Sequence, residues 1–96
     1  VNYRISRQAD RDLRQIGDYI AADNPSAADR MDERIHQAIQ QLAKFPELGH
    51  RHPNVDDERY RFWTVRPYVI AYRIERGELI VVRVIHGARE FRRLFR

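Results

Sequence analysis

Along one stretch of this chain, apolar residues recur at intervals that only a helix brings to a single face. Ala28, Met31, Ile35, Ala38, Leu42 and Phe45 follow one another at spacings of 3, 4, 3, 4 and 3, and Ile39 widens the stripe. A helix turns once every ~3.6 residues, so this pattern predicts a continuous buried face. At about 1.5 Å per residue the helix is roughly 28 Å long. Asn24 suits its N-cap. Pro25 suits its first position, where no N–H donor is needed. Asp29 lies early, where a negative charge favours the helix dipole. Phe45-Pro46 ends it. Upstream, Ala9, Leu13, Ile16 and Ile20 at spacings of 4, 3 and 4 predict an earlier helix capped by Ser6, with Arg7, Asp10, Arg11, Arg14 and Asp18 on its outer face. The break Asp23-Asn24-Pro25-Ser26 is short, so the two helices return antiparallel as a hairpin.

The remaining segments have strand periodicity. Asn2–Ser6 alternates, with Tyr3 and Ile5 on one side. Glu47–Arg59 is a polar loop holding Gly49, Pro53 and the acids Asp56, Asp57 and Glu58. Tyr60–Val65 then reads as a strand, Arg66-Pro67 as a turn, and Tyr68–Glu75 as a second strand with Tyr68, Ile70, Tyr72 and Ile74 on one face. Arg76-Gly77-Glu78 closes a hairpin into Leu79–His86, the most apolar strand and hence the central one. Ala88–Arg96 forms one or two helical turns that return Phe91, Leu94 and Phe95 to the core. The expected fold is a single α+β domain over residues 1–96, ordered β-α-α-β-β-β, with a short helical tail. Its helical hairpin lies on one face of a small, mainly antiparallel sheet. The other face is expected to be less covered. If Tyr60 and Phe62 face the helices, Trp63 points to that open face with Arg61 and Val65.

Composition excludes several classes of function. No apolar run reaches the ~20 residues of a membrane helix, and no signal-peptide pattern opens the chain. There is no cysteine, hence no disulfide and no thiolate metal site; a cytoplasmic location is the expectation. No P-loop, GxGxxG, HExxH or Ser-His-Asp pattern occurs, and no cofactor is expected. His50 and His52 near Asp56 and Asp57 match no justified metal-site spacing, so they read as a solvated loop with no metal. Charge is uneven: residues 1–58 carry 8 basic and 11 acidic side chains, residues 59–96 carry 10 and 3, and all ten of those cations are arginine. Guanidinium pairs bidentately with carboxylate or phosphate and sheds water readily. The C-terminal part is therefore a candidate docking surface for an acidic partner or for nucleic acid. His86, at a strand end before Gly87 and near Arg83, Arg89, Arg92 and Arg93, is a candidate acid or base, although a histidine bonded to backbone is the blander reading. Trp63 beside arginines reads as a partner contact. No recognition-helix pattern is present, so direct sequence-specific DNA binding is not expected.

Several segments together resemble the ParE/RelE superfamily of toxins from type II toxin–antitoxin systems. They are Asn24-Pro25-Ser26-Ala27-Ala28 between the helices, Phe45-Pro46-Glu47-Leu48-Gly49 after the second, Tyr68-Val69-Ile70-Ala71-Tyr72-Arg73, and Val84-Ile85-His86-Gly87-Ala88-Arg89-Glu90. The resemblance covers essentially the whole chain. It implies either a RelE-type ribosome-dependent mRNA endonuclease or a ParE-type inhibitor of DNA gyrase. RelE-type catalysis would fall on Arg61, His86 and Arg89. Here the middle strand has apolar Val69 and Ile70 where a catalytic arginine belongs, and Phe91 and Phe95 carry no proton to transfer. The long helical hairpin and the ending His86-Gly87-Ala88-Arg89-Glu90 look more ParE-like. The expectation is thus a protein that is not an enzyme and acts on gyrase by binding, through Arg61, Trp63, Arg83, Arg89, Arg92 and Arg93. The resemblance also implies a ParD-like antitoxin forming a hetero-oligomer with the chain, docked on Leu13, Ile16, Ile20, Arg61, Trp63, Arg73 and Arg83. An inert family member that only binds its antitoxin is the third alternative.

Overall fold

The computed structural model of the chain describes residues 1–94, the side chains of Arg92 and Leu94 excepted. Two cap residues set where the helices begin. Ser6 Oγ accepts from Ala9 N at 3.0 Å, opening α1 (Arg7–Ala21), and Asn24 Oδ1 accepts from Ala27 N at 3.1 Å, opening α2 (Pro25–Lys44). Each cap satisfies one of the N–H groups that a helix start leaves without an internal partner. A short 3-10 turn, Pro46–Leu48, follows α2. The strands are β1 (Tyr3–Ile5), β2 (Arg61–Val65), β3 (Tyr68–Glu75) and β4 (Glu78–His86), and α3 (Gly87–Leu94) closes the described chain. This is the α+β arrangement expected, with both helices of the hairpin and the C-terminal helix in place. No helix of the described residues is long and apolar enough to cross a membrane.

The sheet runs β1-β4-β3-β2. β1 joins β4 in parallel, while β4, β3 and β2 pair antiparallel as two successive hairpins. The β3–β4 turn places Arg76 at φ 53° and Gly77 at φ 75°. Two consecutive residues with positive φ make the turn whose twist matches a β-hairpin; glycine adopts it freely, arginine at some cost.

The hairpin covers one face. Ala9, Ile35, Ile39 and Leu42 meet Ile70, Tyr72, Leu79 and Val81 there, and all eight are fully buried. Each buried aliphatic side chain contributes roughly 1.5–3 kcal/mol. Tyr72 fixes the polypeptide that leaves α2: its hydroxyl donates to Pro46 O and accepts from Gly49 N at 2.8 Å. A Cβ on Gly49 would stand 2.2 Å from that hydroxyl, so only glycine fits.

The strand faces are assigned opposite to the expectation for β2. Trp63 packs half-buried against the hairpin core with Val65. Phe62 is 1% exposed on the other face, where its ring meets Phe91 of α3 at 5.2 Å and His52 at 6.2 Å. That second face is therefore covered, with Ala71, Ile80 and Ile85 also buried. The loop expected to be solvated also takes part: His50 pairs with Phe62 through two backbone hydrogen bonds of 3.0 and 2.8 Å, and the His52 ring lies 4.4 Å from that of Phe91. Phe91 returns to the core as expected; Leu94 as a core side chain, Phe95 and the side chain of Arg92 lie outside the described residues.

β1 flanks only part of β4, from Leu79 to Val81. Beyond it two side chains take over the ladder. Ser6 Oγ donates to Val82 O at 3.0 Å, and Asp12 Oδ2 accepts from Val84 N at 2.9 Å. Pairing with β3 skips Val82, a bulge that re-aims the strand just there.

Candidate functional site

The arginines expected to form one open cationic surface have different roles. Arg83 is engaged internally: Nε and Nη2 reach the two carboxylate oxygens of Asp12 at 2.8 and 3.0 Å. Asp12 is itself buried on α1, and this bond raises the pKa of Arg83 further. The pair joins α1 to β4 across 71 positions of sequence. Arg61 donates to the carbonyls of Gly49 at 2.7 Å and Glu47 at 3.4 Å, bracing the turn held by Tyr72. Arg73 binds Glu75 at 2.8 Å, with its guanidinium 5.9 Å from the Tyr60 ring centre. Arg89 and Arg93 remain at the surface, the former 6.0 Å from the Tyr19 ring centre, the latter 4.0 Å from Glu90. Leu13, Ile16 and Ile20 are half-buried along α1, shared between core and surface. Trp63 is half-buried on the helix side, not on the side expected.

The set expected for RNA cleavage does not converge. Arg61 pairs with Tyr72, whereas His86 pairs with Tyr68, which pairs with Val65. Four residues of strand separate the two rows, roughly 13 Å. His86 and Arg89 do come together, in a cleft of about 300 Å³ between α1, the β2–β3 turn and the start of α3. Ile16, Pro67 and Val84 form apolar walls; Tyr19, Tyr68, Gln15 and Glu90 complete the lining with Asp12. Glu90 Oε1 accepts from His86 N at 3.3 Å, and Gly87 N donates to Pro67 O at 3.0 Å, which fixes the first turn of α3. The His86 and Tyr68 rings meet edge-on at 5.7 Å. Burial raises the Tyr68 phenol pKa, opposed by the Arg89 charge. His86 Nδ1 is buried with no hydrogen-bond partner among the described residues. No cluster of three or more His, Cys, Asp or Glu side chains able to hold a metal occurs among the described residues.

Asp12, Tyr19, Tyr68 and Glu90 were not among the expected site residues. One signal was legible. Asp12 sits at helical spacing from Ala9 and Ile16, an acid inside an apolar stripe, and Arg83 is the one cation inside the apolar run Leu79–Ile85. A buried charge needs a partner, so the two point to each other.

The fold is thus a helical hairpin over a sheet of order β1-β4-β3-β2, with its last helix on the far face. The model of the ParE toxin of the type II toxin–antitoxin system parDE matches residues 3–91. The chain belongs to the ParE toxin family, within the ParE/RelE superfamily. Toxin RelE2 of Caulobacter vibrioides is 40% identical over 78 residues, which cover 81% of this chain and 85% of that protein. A putative toxin of Sinorhizobium fredii, Y4kP, is 35% identical over 92% of this chain and 90% of its own length. A solved structure, the chromosomal ParDE system from P. aeruginosa, superposes with a TM-score of 0.75 at 21% identity, covering 90% of this chain and 95% of that one.

Proposed function

We propose that this toxin acts by binding, as an inhibitor of DNA gyrase held in check by a cognate ParD-like antitoxin. The observation that carries the reading is the separation of Arg61 from His86 and Arg89, which leaves no assembled acid, base and phosphate clamp of the expected kind. In-line attack by a ribose 2′-hydroxyl requires all three together. The antitoxin is further supported by the ParDE system whose toxin fold this chain shares. Half-buried Leu13, Ile16 and Ile20, with Trp63 beside the hairpin, offer an apolar seat for an amphipathic segment of that partner. On the target side, Arg89 and Arg93 are exposed among the described residues, while Arg83 acts as a structural link.

A second reading has a specific observation behind it. Relatives named RelE2 and RelE3 are 40% and 32% identical, and His86 and Arg89 line one cleft with Tyr68 and Glu90. The deciding experiment runs purified toxin against gyrase with plasmid, beside ribosome-dependent cleavage of mRNA. Blocked supercoiling with intact mRNA is the expected result. Unimpaired supercoiling with mRNA cut on the ribosome would establish the endonuclease. Expression without antitoxin that leaves growth unaffected would establish a chain that only binds its partner.

A further inference from the structure

We propose that the cleft between α1 and α3 binds a single unstacked nucleobase, guanine in preference to the other bases. This goes beyond the toxin reading and depends on neither gyrase nor the ribosome. The walls are suited to a flat ring: Tyr19 on one side, Tyr68 deeper in, and the aliphatic surfaces of Ile16, Pro67 and Val84. A volume of about 300 Å³ is at the small end for ligand pockets and suits one base with its sugar.

The polar groups discriminate between ligands. Asp12 is not among those available, because Arg83 and the Val84 N–H already engage both its oxygens. Glu90 uses Oε1 on His86 N, and its Oε2 is only loosely held, 4.0 Å from Arg93. Arg89 touches the Tyr19 ring and makes no ion pair among the described residues. A loosely held carboxylate oxygen and an available guanidinium on one rim match guanine's two edges. Its N1–H and N2 amino group donate to a carboxylate, and its O6 and N7 accept from arginine. Adenine offers a carboxylate one amino group, N6, beside the acceptor N1, and not guanine's two adjacent donors. The Tyr68 side chain lines the cleft, and its hydroxyl makes no hydrogen bond among the described residues. His86 Nδ1 is buried beside it without a partner among those residues. A polar atom normally finds a partner when buried, so its place there points to a ligand with hydrogen-bonding edges. A bare phosphate fits less well, since Glu90 places a like charge on the rim.

The test is a titration of the whole chain with GMP, dGMP, AMP, CMP, UMP and ribose 5-phosphate, followed by backbone amide NMR. GMP should saturate shifts at Gln15, Tyr19, His86 and Arg89, with AMP about tenfold weaker. Glu90→Gln keeps an acceptor for His86 N, so its thermal melt should be unchanged while GMP weakens about tenfold and the preference over AMP disappears. Tyr68→Phe should weaken GMP severalfold. Binding of dGMP as tight as that of GMP assigns recognition to the base alone; weaker dGMP binding adds the 2′-hydroxyl and assigns RNA as the source. Equal shifts with ribose 5-phosphate, equal affinity for all nucleotides, an unaltered Glu90→Gln variant, or no shifts at about 10 mM nucleotide would each overturn the proposal.

Discussion

The two faces of the sheet are closed in different ways. Under the hairpin the contact is aliphatic and continuous, and polar links fix it at both ends: Tyr72 on Pro46 and Gly49 at one, Asp12 on Arg83 and Val84 at the other. The opposite face is closed by aromatic rings, Phe62, Phe91 and His52, beneath one helix of eight residues and a loop. The helix face buries most of the aliphatic side chains and adds a partly buried ion pair, and apolar burial is the main favourable contribution to folding. The helix face should therefore set global stability, and the aromatic face should open first.

The sharpest way to break that contrast is Asp12→Ala. It strands the half-buried Arg83 charge and the Val84 N–H together, and unfolding by urea should show a loss of about 3–5 kcal/mol. Replacing Arg83 as well, by methionine, should recover much of it; a double variant no better than the single one would remove Asp12 from its role as a link. Gly49→Ala comes next, at about 2–3 kcal/mol, because the new methyl group meets the Tyr72 hydroxyl. Adding Tyr72→Phe should relieve part of that loss, which a denaturation cycle on the four variants would measure. On the other face Phe91→Ala should lower stability by only about 1–2 kcal/mol while speeding hydrogen exchange in α3 well before that of β4. Equal protection of α3 and β4 in that variant would show the two faces to be one cooperative unit. The smallest effect belongs to the loop. Hydrogen bonds from Arg59 hold Asp57 down from the ordinary 3.8 to about 2. A depressed carboxylate pKa contributes above pH ~4 and is lost as the pH falls toward 2. The pair lies at the surface, so the NMR titration midpoint of Asp57 should rise in Arg59→Ala, while the melting temperature of Asp57→Asn should stay close to that of the parent.

How much of this was legible in the sequence varies by element. The α2 stripe from Ala28 to Leu42 and both caps specify themselves locally, whereas Phe45, expected at the end of that stripe, is exposed past the helix end; the fold class followed from order and periodicity. Alternation along Tyr60–Val65 separates two sets of side chains but does not say which set meets the helices. That choice is made by the His50 bridge and by the α3 rings, which no local pattern announces. The arginine-rich end looked like a uniform surface because composition counts cations without their partners. Arg83, Arg61 and Arg73 are engaged by groups that lie 71, 12 and 2 positions away. The cleft was least visible of all, since Tyr19, Tyr68 and Glu90 come from three elements and each is unremarkable in its own segment.

The shortness of β1 has a consequence for how the molecule can be joined by others. Three residues of β1 shield the start of the central strand, and Ser6 and Asp12 occupy the hydrogen-bonding positions that a longer strand would have filled. A foreign strand sliding along that margin meets side-chain oxygens already in place instead of bare amides. Growth of the sheet into a polymer is blocked there without the addition of another strand, and on the opposite margin the His50 bridge to Phe62 already occupies part of β2.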